Sequence, residues 1–142
     1  IIETSAGADR LTLVFLIDAY SEEPASADGY GEVKKDRVVL KLHPKLAPYK
    51  VAVFPLLRNK PELVKKAKDI YFDLKKEFTA DFDDRGNIGK RYYSQDEIGT
   101  PFCVTCDFDS IKNNDVTIRD RDTTKQKRVK ISNLVEFINE NL

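Results

Sequence analysis

Between Leu11 and Tyr20, the side chains Leu11, Leu13, Val14, Phe15, Leu16, Ile17 and Ala19 leave only Thr12 and Asp18 as clearly polar positions. A helix apolar on almost every side needs cover on every side, so this stretch predicts the last helix of a preceding domain whose body is absent. Residues 21–36, rich in Ser, Ala, Gly, Asp and Glu, predict an exposed connection. From residue 37 strands and helices alternate. Lys50–Leu57 is a nearly continuous apolar run, as expected of a parallel strand covered on both faces. Pro61 suits a first helical turn, and Leu63, Val64, Ala67, Ile70, Tyr71, Leu74 and Phe78 then fall on one stripe at helical spacing.

Thr79–Phe82 predicts a short strand, and Asp83-Asp84-Arg85-Gly86-Asn87 a turn into a shorter helix over 88–98, ended by Gly99. Pro101–Phe108 reads as the next strand. Val116–Asp122 and Gln126–Ile131 predict a hairpin, after which Ser132 caps a final helix carrying Leu134, Val135 and Ile138. The order β-α-β-α-β followed by β-β-α predicts an α/β fold with a mostly parallel sheet between helices, extended by an antiparallel pair.

Composition changes this picture in two ways. With 142 residues, 41% hydrophobic and 34% charged, the chain fits one globular domain with a short appendage and not a disordered segment. Lys plus Arg total 24 and Asp plus Glu total 24, so any polyanion site must be local. The balance hides a dipolar chain: Arg119–Lys130 holds six bases against Asp120 and Asp122, whereas residues 1–32 hold seven acids against Arg10. Strand alternation puts Thr117, Arg119 and Arg121 on one face, expected to be exposed, and Val116 and Ile118 on the other. Two readings of the hairpin stay open. Its bases hold phosphates while carboxylates and guanidiniums read unpaired base edges of an RNA loop, or it is a solvated surface laced with ion pairs.

Cys103-Val104-Thr105-Cys106 has the spacing of a redox or zinc motif. In a buried strand, however, residues three apart point to opposite faces and sit roughly 10 Å apart along the backbone, beyond disulfide reach. Core cysteines are the expected reading, with a thiol-redox domain as the weaker one. His43 is the sole histidine, so no metal site is expected. No apolar run approaches the ~20 residues of a membrane span, and the opening Ile-Ile-Glu lacks the basic start of a secretory signal. A cytoplasmic chain with neither membrane nor DNA as partner is expected. Methionine is absent, which predicts a piece of a longer protein.

Leu42-His43-Pro44-Lys45-Leu46-Ala47-Pro48-Tyr49-Lys50-Val51-Ala52-Val53, Ile88-Gly89-Lys90-Arg91-Tyr92, the run from Gln95 to Phe102 and Val116-Thr117-Ile118-Arg119-Asp120-Arg121-Asp122 together resemble the C-terminal anticodon-binding domain of glycyl-tRNA synthetases of the α2-dimer, class II type. The Leu-Ala-Pro segment is shared with the threonyl, prolyl and histidyl enzymes. The Asp-Glu-Ile-Gly-Thr-Pro-Phe and Arg-Asp-Arg-Asp segments point to the glycine enzyme. The resemblance implies a three-layer α/β/α fold with a five-stranded mixed sheet flanked by three helices. It also implies an ATP-dependent glycine-tRNA ligase as the homodimeric parent, forming glycyl-adenylate and transferring glycine to its tRNA.

The same resemblance divides the chain into 1–22, the end (motif 3) of a truncated catalytic domain; 23–36, a linker; and 37–142, the anticodon-binding domain. Gly7, Ala8, Asp9 and Arg10 would meet ATP, and Glu3 and Ser5 would meet glycine. ATP and magnesium are then substrates of the parent, with none bound by this chain alone, which is expected to be inactive. Glycine tRNAs carry cytosines at the second and third anticodon positions, so Arg119, Asp120, Arg121 and Asp122 are candidate readers, with Lys90, Arg91, Thr100 and Phe102 as further candidates. Tyr93-Ser94 stand where basic residues are common, and Cys106 where an apolar residue is usual. A non-catalytic accessory or dimerisation module of the same fold is the alternative.

Overall fold

The computed structural model describes residues 4–24 and 36–142. The predicted N-terminal helix forms as α1, Ala8–Ala19, with Gly7 at its N-cap. Its apolar side chains stand open: Leu13, Val14 and Ile17 are 57%, 54% and 68% exposed. The chain then enters β1 (Tyr20–Glu23), which pairs antiparallel with β2 (Arg37–Leu40). This two-stranded strap was not predicted. It spans both ends of the expected linker, whose residues 25–35 lie outside the described ones, and the expected boundary at 22/23 falls inside β1.

The main sheet has five strands in the order β4-β3-β5-β6-β7. These are β3 (Val51–Pro55), β4 (Ala80–Phe82), β5 (Phe102–Cys106), β6 (Asp115–Asp120) and β7 (Gln126–Lys130). β3 runs parallel to β4 and β5, and β6 and β7 add as an antiparallel pair, so the mixed sheet implied by the resemblance is the one that forms. Every residue of β3 and β5 is buried, which is why both read as unbroken apolar runs.

Helices cover the two faces unequally. On one, α2 (Pro61–Leu74) lays Ala67, Ile70 and Leu74 against Val51, Val53 and Val104, and α5 (Leu134–Glu140) adds Leu134 and Ile138 against Val116 and Ile118. On the other, α3 (Ile88–Ile98) sets Ile88 and Tyr92 against Ala52, Phe54 and Cys103. Asn87 caps α3 by accepting from the Lys90 N–H, and Gly99 ends it in the left-handed conformation at φ 82°.

Two local expectations fail. The predicted strand over 101–108 stops at Cys106, and α4 (Phe108–Asn113) follows, started by a capping box in which Asp107 and Ser110 exchange bonds. Asp-Phe-Asp-Ser carries that signal, and the apolar Phe108 masks it. Ser132 does not cap the last helix: its hydroxyl binds the Asn133 side chain within a 3₁₀ turn over Ile131–Asn133.

Candidate nucleic-acid interface

β5, β6 and β7 decide what the open part of the sheet presents. Directly paired residues share a face, and the register pairs Cys103 with Arg119, Thr105 with Thr117, Thr117 with Arg128, and Arg119 with Gln126. Since Cys103 lies under α3, these residues all belong to the α3 face. Beyond the edge of α3, a shallow cavity of about 100 Å³ is lined by Leu56, Ile88, Tyr92, Thr105, Asp107, Thr117 and Gln126. The Tyr92 ring meets Phe54 edge-on at 5.7 Å, and its hydroxyl hydrogen-bonds the Thr105 hydroxyl at 2.7 Å. An aromatic ring, three hydroxyls, an amide and a carboxylate converge on one small opening.

The charge of this face is more even than the hairpin's composition suggested. Arg128 donates to both Asp107 oxygens at 2.7 and 2.8 Å and to Thr117 at 3.2 Å, and its guanidinium lies 3.2 Å from Asp115. Lys130 donates to the Asn113 carbonyl. The ion-pair reading of the hairpin is therefore correct for Arg128, whose charge is already engaged by carboxylates from the β5-α4-β6 connection. What remains on the face suits the polar edge of a neutral base better than a row of phosphates.

The expectation that Arg119 and Arg121 share an exposed face is overturned: they are 6% and 2% exposed. Arg119 makes a forked pair with Asp96 (2.9 and 3.1 Å) and its guanidinium lies over the Tyr92 ring, 4.9 Å from the centroid. Arg121 lies past the end of β6, where its alternation no longer matters. It donates to the Gly99 and Leu42 carbonyls and to both oxygens of Asp122. Asp120 accepts from the Thr123 N–H and hydroxyl and so shapes the hairpin turn.

The further candidates divide in the same way. Arg91 is 2% exposed and donates to the Pro55, Arg85 and Gly86 carbonyls, pinning together the loops that leave β3 and β4; burial lowers its pKa. Thr100 is buried with its hydroxyl on Gln95, and Phe102 is buried in the core. Lys90 and Asp122 are the exposed members of the set.

Asp96, fully buried on α3, also takes the Arg37 Nε at 2.7 Å, so one carboxylate holds two guanidiniums. Burial is the largest single influence and opposes the Arg37 charge, but the bonds and charge attraction of Asp96 and Glu23 together outweigh it and raise the pKa. Arg37 further holds Glu23 at 2.6 Å and the Arg121 carbonyl. Sequence reasoning missed Asp96, Tyr92, Thr105, Asp107, Thr117 and Gln126. The available signal was the two-residue period of 102–106 and 115–120, which places Thr105 and Thr117 opposite the core face.

At the N-terminal end, Ser5, Gly7, Ala8, Asp9 and Arg10 are all exposed; Glu3 lies outside the described residues. Gly7 has φ −73°, and a Cβ there would meet nothing nearer than 4.0 Å, so its backbone faces open space. Of the described ones, Ser5, Gly7, Ala8, Asp9 and Arg10 are not among the residues lining the cavity on the sheet.

The profile of the anticodon-binding domain family matches residues 50–141, from the start of β3 to the end of α5. The chain belongs to that family. It is similar to proteins named glycine–tRNA ligase: 53% identical to that of Clostridium kluyveri over 99% of this chain and 28% of the relative, and 52% identical to that of Bacillus anthracis over 96% and 28%. The chain thus spans little more than a quarter of the length of these relatives. Among solved structures, the RNA-binding domain of threonyl-tRNA synthetase from Cryptosporidium parvum shares the fold, with a TM-score of 0.64, 20% identity, and coverage of 71% of this chain and 25% of that one.

In this anticodon-binding domain the two cysteines are free and buried in clusters on opposite faces of β5. Burial raises both thiols, Cys106 to about 12. Neither is expected to react with an aromatic disulfide reagent at pH 8 until urea unfolds the chain. The sign of the pH effect follows. The unfolded Cys106 thiol ionises near its ordinary value of 9.0 and the folded one only near 12. Its contribution to stability is complete below pH 9 and falls as pH rises, by about 1.4 kcal/mol per unit. Urea midpoints between pH 8.5 and 10.5 should fall more steeply for the native sequence than for Cys106→Ala.

Proposed function

We propose that the chain recognises the anticodon loop of glycine tRNA as the anticodon-binding part of a glycine-tRNA ligase, with loop bases entering the cavity beside Tyr92. The observation that carries this reading is that cavity: Tyr92, Thr105, Thr117, Gln126 and Asp107 converge on the uncovered part of the sheet. A cytosine there can donate its amino group to a carboxylate or amide oxygen and accept on its ring nitrogen or carbonyl from hydroxyls and the Gln126 amide. Lys90, exposed on the first turn of α3 and outside the cavity lining, supplies a charge for a backbone phosphate away from the base site. Arg119, Arg121, Arg91, Thr100 and Phe102 act behind this surface by holding its framework. The relatives' names support a glycine–tRNA ligase as the parent; within the same proposal that parent is ATP- and magnesium-dependent, dimeric and cytoplasmic, with Gly7–Arg10, Ser5 and Glu3 contributing to its catalytic site.

The test is binding to a glycine anticodon stem-loop. Gln126→Ala should weaken it by about 1–3 kcal/mol and reduce discrimination against loops whose cytosines are replaced, with the urea midpoint unchanged. Lys90→Ala should weaken all loops alike and make the salt dependence shallower. Equal binding of native and Gln126→Ala chains to every loop would remove the cavity from the recognition surface.

A further inference from the structure

An unbroken series of charged and aromatic contacts joins the cavity wall to the β1-β2 strap. Thr105 and Tyr92 share a hydrogen bond in the wall, the Tyr92 ring lies under the Arg119 guanidinium, and Arg119 forks onto Asp96. Asp96 binds Arg37 on β2, and Arg37 binds Glu23 on β1. Of the residues in this series, Thr105 and Tyr92 are the ones that line the cavity. Both Asp96 oxygens take the Arg119 fork and Oδ2 also takes the single bond from Arg37 Nε, so a shift of Arg119 alters the geometry left for Arg37.

We propose that Asp96 and Arg37 are positioning residues that couple occupation of the cavity beside Tyr92 to the seating of the β1-β2 strap, and through it to the segment that leads out of α1. This rests on the RNA-loop reading above. A base packed against Tyr92 restrains the ring, the ring restrains the Arg119 guanidinium stacked on it, and the forked bonds pass that restraint to Asp96 and Arg37. The strap is the natural receiver. It lies outside the five-stranded sheet, and Arg37 binds α3, β1 and the end of β6 at once.

The test is hydrogen exchange of the 142-residue chain with and without an anticodon stem-loop bearing the two cytosines. The expected result is slower exchange at amides of β5 and β6 around the cavity and, in addition, at β1 and β2, where the rate should drop by about fivefold or more. Glu23→Gln leaves the Arg37–Asp96 pair in place and is expected to keep the response around the cavity while losing it in β1. Arg37→Lys keeps a charge but cannot bind Asp96, Glu23 and the Arg121 carbonyl at once, and is expected to lose the response in both strap strands. Protection around the cavity with none in the strap of the native chain would overturn the coupling and leave the RNA reading standing, as would an unchanged strap response in both variants. No response anywhere at saturating stem-loop would overturn the RNA reading and the coupling with it.

Discussion

Replacing Asp96 by Ala is expected to destabilise the chain by about 3–5 kcal/mol, because it takes the carboxylate from the buried Arg119 guanidinium and leaves the buried Arg37 with Glu23 alone. Exposed ion pairs contribute about 0–1 kcal/mol, since water and salt screen them. Asp96 is fully buried, so the removed partner exposes the cost of holding two charges out of water. Against a total stability of about 5–15 kcal/mol for an ordinary domain, that loss approaches unfolding. Asp96→Asn keeps the shape and one acceptor and should lose less than Asp96→Ala. Urea denaturation of the three proteins checks this. A shift below about 1 kcal/mol for Asp96→Ala would show the carboxylate to be solvated and the triad energetically unimportant.

Gly99→Ala is expected to cost about 2–4 kcal/mol, the sum of a left-handed residue gaining a Cβ and of overpacking. Gly99 sits at φ 82°, and a Cβ there would lie 2.9 Å from the Leu40 carbonyl oxygen and 3.3 Å from side-chain atoms of Leu40 and Leu42. Backbone oxygen cannot swing away as a lysine tip can. Gly86 supplies the control, because it too has positive φ (62°), yet a Cβ there would meet only Lys90 Cδ at 3.9 Å. Gly86→Ala should therefore show only the conformational cost, about 1–2 kcal/mol. Equal losses for the two variants would show that the approach of β2 to the end of α3 is loose. The clash also bears on position, since Gly99 is where the strap meets the anticodon-binding domain and where Arg121 ties Gly99, Leu42 and Asp122 together.

The sequence alone determined the helical stripe of α2, the unbroken apolar strands β3 and β5, the hairpin of β6 and β7, and the stop at Gly99. Each is set by local periodicity or by a backbone conformation that one residue type tolerates. It also determined the opposite placement of Cys103 and Cys106, because three residues along a strand reverse the face. Resemblance in the runs around Leu42–Val53 and Gln95–Phe102 then reached the same fold by another route. Only the tertiary structure decided which charges are available to a partner. Alternation correctly set Val116 and Ile118 against Thr117 and Arg119, but a strand face is open or closed according to what packs on it. α3 closes the half of that face carrying Arg119, and the Leu42 loop and Gly99 close over Arg121. The strap was hidden for the same reason: Tyr20–Glu23 is a strand because Arg37–Leu40 lies beside it, and Arg37 is buried because Asp96 awaits it. Local patterns specify elements; the partner of a charge is specified only when distant segments meet.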